Sequence, residues 1–251
     1  MNAISLINQG FQQTQEYCAT HQVAKVQAGS HQICPKCAVI EVESNNRNRQ
    51  AEIDRMVREK HFSGAMLPVR HADSGFKNYI INPNNLGQAN ARSQCVNYTK
   101  SIAAGVKSNL IMVGSTGTGK THLAVATART LLNKGMFVRY ITSEELAQRI
   151  MNAWDRDSKG QSEESIIHDF TQYHLLILDE YGLHDREKRL ELVHKVLYAR
   201  YDAGKPTMLI SNFTMADLQK DLGDRLWSRF QHDGLTVVEC NWADQRVGEV
   251  A

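Results

Sequence analysis

Gly114-Ser115-Thr116-Gly117-Thr118-Gly119-Lys120-Thr121 decides how the rest of the chain is read. The spacing is glycine, four residues, then glycine-lysine-threonine. The apolar run Leu110-Ile111-Met112-Val113 precedes it, and a helix-length stretch, residues 121–134, follows. Glycines in such a strand-to-helix turn let backbone N–H groups point inward at phosphate oxygens, and the helix start adds the positive end of its dipole. Lys120 can reach β- and γ-phosphates, and the Thr121 hydroxyl can ligate magnesium. A dinucleotide-binding turn is the rival. It fits less well, because His122 stands where that pattern wants glycine or alanine.

Working outward, further short apolar runs are Phe137-Val138-Arg139-Tyr140-Ile141, Leu175-Leu176-Ile177-Leu178, Thr207-Met208-Leu209-Ile210-Ser211 and Leu235-Thr236-Val237-Val238-Glu239. Helix-length segments, residues 121–134, 143–154 and 186–202, separate the first four of the five runs. The alternation predicts an α/β fold of the P-loop NTPase kind, a parallel sheet with helices on both faces.

The third run ends in Asp179-Glu180. A carboxylate at that strand end can hold magnesium, and the next acid can polarise an attacking water as a general base. The fourth run ends in Asn212. If that strand lies between the other two, Asn212 faces the γ-phosphate and can orient water. Arg225 and Arg229, four apart, project from one face if their segment is helical. An arginine from a neighbouring subunit can stabilise charge on a transferring phosphate, and Arg246 could act within its own subunit.

The first 44 residues are polar and hold three of the five cysteines. Cys18-Ala19-Thr20-His21, then twelve residues, then Cys34-Pro35-Lys36-Cys37, supplies two ligand pairs of the spacing used by tetrahedral structural zinc. His31 is the substitute for His21. So small and polar a segment needs a staple to fold. Residues 45–60 read as a short solvated helix with Ile53, Met56, Val57 and Lys60 at helical spacing. Cys95 and Cys240 read as ordinary core residues.

Composition excludes whole classes. With 42% hydrophobic residues, 22% charged residues and 16 glycines, the chain is neither disordered nor collagen-like. No apolar stretch approaches the ~18 residues of a membrane helix. Residues 1–11 lack the basic start of a secretory signal, so a reducing, cytoplasmic setting is expected, with no membrane partner. The net charge of +2 is too small to imply nucleic acid.

Taken together these motifs resemble the AAA+ ATPases of the bacterial helicase-loader type, the DnaC-like group, with the transposition helper IstB as a close relative. The likeness covers roughly residues 65–251. It rests on Gly117 to Ala124, Leu178-Asp179-Glu180, Arg200-Tyr201 before Lys205-Pro206-Thr207, and Ile210-Ser211-Asn212. It continues through Gly223-Asp224-Arg225-Leu226-Trp227-Ser228-Arg229 and Asn241-Trp242 before Arg246. Only about 39 residues follow Asn212, too few for the helical lid of larger relatives. The resemblance implies a zinc-binding, helicase-gripping module over 1–44, a helical linker over 45–66 and an AAA+ ATPase domain over 67–251.

It further implies ATP, Mg2+ and Zn2+ as cofactors, a replicative DNA helicase and single-stranded DNA as partners, and self-association in a spiral. Asn212 becomes the sensor asparagine, Arg229 the trans-acting finger with Arg225 as fallback, and Arg246 a second sensor. Arg70 and Phe76 to Tyr79 lie where such proteins hold the base. Arg47, Arg49, Arg55, Arg58 and Lys159 are the DNA candidates, although Glu52, Asp54 and Glu59 dilute the linker cluster. Two other functions remain open: an IstB-like ATPase assisting a transposase, against which the zinc module argues, and a zinc-bearing adaptor that only binds ATP, against which Glu180 argues.

Overall fold

The computed structural model describes residues 11–154, 162–183 and 187–246, and the chain forms two compact units, one through Val57 and one from Arg58. Lys159 lies outside the described residues. Among the described residues no helix is long and apolar enough to cross a membrane.

The first unit is a three-stranded antiparallel sheet in the order β1 (Gln13–Tyr17), β2 (Ala24–Ala28), β3 (His31–Ile33). Gly29 (φ +60°) opens the two-residue turn joining β2 to β3, a left-handed geometry that glycine adopts freely. Only Val26, Cys18, Cys34 and Pro35 are buried among its described residues. α1 (Pro35–Gly64) follows and has 30 residues. The helix expected over residues 45–60 therefore begins ten positions earlier, at a proline suited to a first helical turn. It runs unbroken past residue 45, and of its residues only Pro35 is buried. The weak apolar periodicity of residues 35–44 is why the sequence hid this extension.

In the second unit, α2 (Leu86–Ala103), β4 (Asn109–Gly114), α3 (Lys120–Asn133), β5 (Val138–Thr142), α4 (Ser143–Asn152), α5 (Glu163–Gln172), β6 (Leu175–Tyr181), α6 (Glu187–Asp202), β7 (Thr207–Ser211), α7 (Met215–His232) and β8 (Leu235–Cys240) succeed one another. The five strands are all parallel, in the order β5-β6-β7-β4-β8. Each strand alternates its side chains between two cores. Leu110, Met112, Leu175, Ile177, Met208 and Ile210 pack under α2 and α3. Ile111, Val113, Leu176, Leu178 and Leu209 pack under α4 to α7. Burial on both faces is why the strands read as unbroken apolar runs.

Local chemistry sets the helix starts. Asn85, Ser162 and Thr214 cap α2, α5 and α7, and Thr142 with Glu145 forms a capping box at α4. Gly223, at φ +70°, kinks α7 before the arginine pair.

Arg200 of α6 is fully buried. Its guanidinium donates to the carbonyls of Phe170, Tyr173 and Pro206 and to the Thr207 hydroxyl, with no carboxylate among these partners. Desolvation pulls it down to about 9, so the carbonyl dipoles only partly offset the burial of the charge. Arg200→Ala strands these acceptors in the core. Urea unfolding should show it less stable by about 3 kcal/mol or more.

Candidate functional site

The C-terminal ends of β4, β6 and β7 open onto a cleft of about 340 Å³. Thr116 to Thr121 line one side, Asp179, Glu180 and Asn212 another, and Arg246 reaches in from the tail after β8. β7 lies between β4 and β6, and this order brings Asn212 to the cleft. Gly114 ends β4 at φ +137°, where a Cβ would stand 2.2 Å from the Cys240 carbonyl oxygen, so only glycine fits the start of the loop. Lys120 is buried, and its ammonium donates to the Gly114 and Ser115 carbonyls at 2.7 Å each. Desolvation lowers the Lys120 pKa, with Cys240 and Asp179 opposing and Arg246 reinforcing the shift.

Asp179 is 3% exposed and carries three hydrogen bonds. Its Oδ2 accepts from the Thr121 hydroxyl at 2.9 Å and the Tyr140 hydroxyl at 2.6 Å, and its Oδ1 accepts from the Glu180 amide at 2.7 Å. Glu180 is exposed to the cleft in a left-handed backbone conformation, φ +57°, at a register shift between β6 and β7. Such a conformation is uncommon for a side-chain-bearing residue and concentrates at working sites. Its carbonyl accepts from Ser143 at 3.0 Å, while the Tyr181 carbonyl accepts from Ser211 at 2.7 Å, so both flanking elements hold the irregularity.

Two aromatic donors brace the phosphate loop. The Thr118 carbonyl accepts from Trp242 Nε1 at 3.0 Å and from the Tyr79 hydroxyl at 3.3 Å. The tail continues the contact: Ser115 donates to the Trp242 carbonyl and the Gln245 amide to the Gly117 carbonyl. Neither Phe76 nor Tyr79 lines the cleft; Phe76 packs on the core, and His71 stands at the rim instead. Burial and then His122 lower the His71 pKa, with Asp179 opposing and Arg246 reinforcing the shift. Arg70 is exposed. Tyr140, His71 and Gln245 were not singled out from sequence, and Trp242 was quoted only as part of the family likeness, with no contact assigned to it. Their signals are single aromatic or polar residues in runs that read as strand or loop.

Arg229 is not in the cleft. Its guanidinium sits 4.7 Å from the Tyr198 ring centroid and 4.8 Å from that of Tyr201, and 3.4 Å from Asp202. Arg225 is exposed on the same helix.

In the first unit the ligand atoms of Cys18, His21, Cys34 and Cys37 lie within 4.8 Å of one another. Cys18 Sγ is 3.8 Å from Cys37 Sγ, and His21 Nδ1 is 3.7, 3.7 and 3.3 Å from Cys18, Cys34 and Cys37. A tetrahedron with metal–sulfur bonds of ~2.3 Å has edges of ~3.8 Å, so the spacing fits a zinc ion. The His21 amide chiefly draws the Cys18 thiol down to about 6, and the hydrogen bond with Cys18 pushes Cys37 up to about 11. A dication would relieve such crowding of thiols. His31 pairs with Ser30 and stands outside the group. Arg47 and Arg55 of α1 are exposed and lie 4.0 Å from Glu43 and Glu52. Arg49 is exposed and Arg58 half-buried.

Comparison with known proteins places the chain. A family model described as IstB-like ATP binding protein matches residues 88–237, more than half of the chain. The replicative helicase loader DnaC of Escherichia coli K12 is 29% identical over 203 residues, covering 79% of this chain and 81% of DnaC. A crystal structure of the DnaC helicase loader superposes with a TM-score of 0.58 at 24% identity, covering 68% of this chain and 99% of that one. AMPPCP-bound DnaA from Aquifex aeolicus superposes at 0.54 and 25% identity, covering 69% of this chain and 51% of that one. The parallel sheet and its helices are thus of the AAA+ type.

Proposed function

This chain belongs to the IstB-like ATP-binding protein family, and from that premise we propose that it is an ATPase that loads a replicative DNA helicase onto single-stranded DNA. The carrying observation is the likeness to DnaC across four-fifths of both chains, together with a cleft that gathers Lys120, Thr121, Asp179, Glu180 and Asn212. The match to an IstB-like family model, with the likeness to the transposition helper IstB, supports a second reading, an ATPase that assists a transposase. Co-elution of the purified protein with replicative helicase, and not with transposase, is the expected result; the reverse outcome selects the second reading.

In this reading the N–H groups of the loop and the α3 N-terminus take the β- and γ-phosphates, and Lys120 exchanges its loop carbonyls for phosphate oxygens. Thr121 and Asp179 hold magnesium, which supplies charge neutralisation on the phosphates when bound. Glu180 accepts a proton from the water that attacks the γ-phosphorus, Asn212 orients that water, and ADP departs with the broken P–O bond electrons. Arg246 meets the phosphates from the same chain. Arg229 does so from a neighbour in a spiral assembly, with Arg225 as the alternative. The expected divisions, 1–44 gripping the helicase, 45–66 linking and 67–251 hydrolysing, remain part of the proposal. The α1 arginines are its DNA-facing candidates.

Two variants test the nucleotide assignments. Lys120→Ala should lose ATP binding in calorimetry while staying folded, and Glu180→Gln should bind ATP and lose turnover by at least about a hundredfold. Tight binding by the first, or wild-type hydrolysis by the second, removes the corresponding role.

Metal analysis should find about one zinc per chain, lost on replacing Cys18 or Cys37 by serine. A metal-free protein with a folded first unit refutes the zinc assignment.

Arg229→Ala, assembled with helicase or single-stranded DNA, should lose turnover by about a thousandfold with ATP affinity nearly unchanged. Mixing it with Lys120→Ala should restore part of the activity, one subunit giving the ATP site and its neighbour the arginine. Normal hydrolysis by assembled Arg229→Ala transfers the role to Arg225.

A further inference from the structure

We propose that Tyr140 is a positioning residue of the ATP site, fixing the Asp179 carboxylate through its hydroxyl so that nucleotide affinity responds to magnesium. The inference rests on the reading of Asp179 as a magnesium ligand. β5 and β6 run parallel with Tyr140 beside Ile177 and Thr142 beside Asp179. Side chains alternate along a strand, so Tyr140 and Asp179 share the face covered by α3, one step apart on neighbouring strands. The phenol reaches diagonally across that step to Oδ2 at 2.6 Å.

Two features set this donor apart from the others on Asp179. The Thr121 hydroxyl sits at the end of the phosphate loop, so its placement follows the loop. The Glu180 amide sits on the irregular, left-handed turn of β6. Tyr140 alone of the three donates from a regular neighbouring strand, with its ring 7% exposed in the core beneath α3. It therefore holds the carboxylate in one orientation whether or not the loop is engaged. A hydrogen bond to a charged acceptor in a buried setting is among the stronger kinds, and here its effect is orientation of a short side chain.

The experiment measures binding of a non-hydrolysable ATP analogue by calorimetry, once in EDTA and once in magnesium. It compares wild type, Tyr140→Phe, Asp179→Asn and the double variant. The affinity in EDTA should be the same in wild type and Tyr140→Phe, and the magnesium gain of each variant is taken relative to its own affinity in EDTA. The gain in affinity on adding magnesium should fall about five- to tenfold in Tyr140→Phe. It should fall further in Asp179→Asn, and the double variant should be no worse than Asp179→Asn alone, because both act through one carboxylate. If Asp179→Asn loses the gain while Tyr140→Phe keeps it, the role of Tyr140 is overturned and the magnesium reading stands. If Asp179→Asn keeps the gain, the magnesium reading fails and takes the inference with it. A merely structural tyrosine would lower the melting temperature or the EDTA affinity and leave the magnesium gain intact, which also overturns the proposal. Should Tyr140→Phe fail to fold, Tyr140→Met, apolar and equally without a donor, carries the same expectation.

Discussion

Burial of a parallel sheet on both faces is the constraint from which the rest of the molecule follows. With Leu110, Met112 and Ile177 under one helical layer and Ile111, Leu176 and Leu209 under the other, the strands have no polar face to offer. Polar chemistry is confined to strand ends, and the parallel arrangement gathers the C-terminal ends of β4, β6 and β7 along one edge. The phosphate loop, Asp179-Glu180 and Asn212 each begin where an apolar run stops. Inside the layers the fully buried Arg200 meets the backbone carbonyls of Phe170 and Tyr173 at the end of α5 and of Pro206 before β7.

How far the sequence could be read depended on the range of the interaction. The gathering of Lys120, Asp179 and Glu180 at one cleft was legible because their places follow from neighbours in the chain: a glycine turn before the lysine, an apolar strand before the acids. The grouping of Cys18, His21, Cys34 and Cys37 was legible for the same reason, each pair being set by a tight turn. The contacts made by Tyr140, Trp242 and Tyr79 were not, because each acts on a backbone or carboxylate group 39 or more positions away. Their partners follow from strand order, which the runs alone do not give. The length of α1 escaped because solvated helices leave little periodicity. Arg229 was placed on a helix, yet what it touches within the chain, two tyrosine rings and Asp202, is visible only in the folded α6–α7 pair.

The two units are built on opposite economies of size. The larger buries enough apolar surface to hold itself. The smaller has Val26 and little else fully enclosed, so its fold depends on what joins β1, the β3–α1 junction and their cysteines. A metal held at that point would stand in for a hydrophobic core, and the first unit's stability would then vary with metal supply while the second unit's would not.

The left-handed backbone at Glu180 has a consequence for how this position tolerates change over generations. A conformation of this kind is uncommon for any residue with a side chain and a genuine outlier for β-branched ones. Substitutions at 180 are therefore sorted twice, first by whether the chain can turn there and then, under the proposed role of general base, by whether the new group can move a proton. Valine, isoleucine and threonine fail the first test. Glycine and asparagine pass it and fail the second. Under that role, well-folded and chemically inert descendants would arise preferentially through the small and amide residues, a narrow door through which the proposed ATPase would become a passive scaffold without losing its shape.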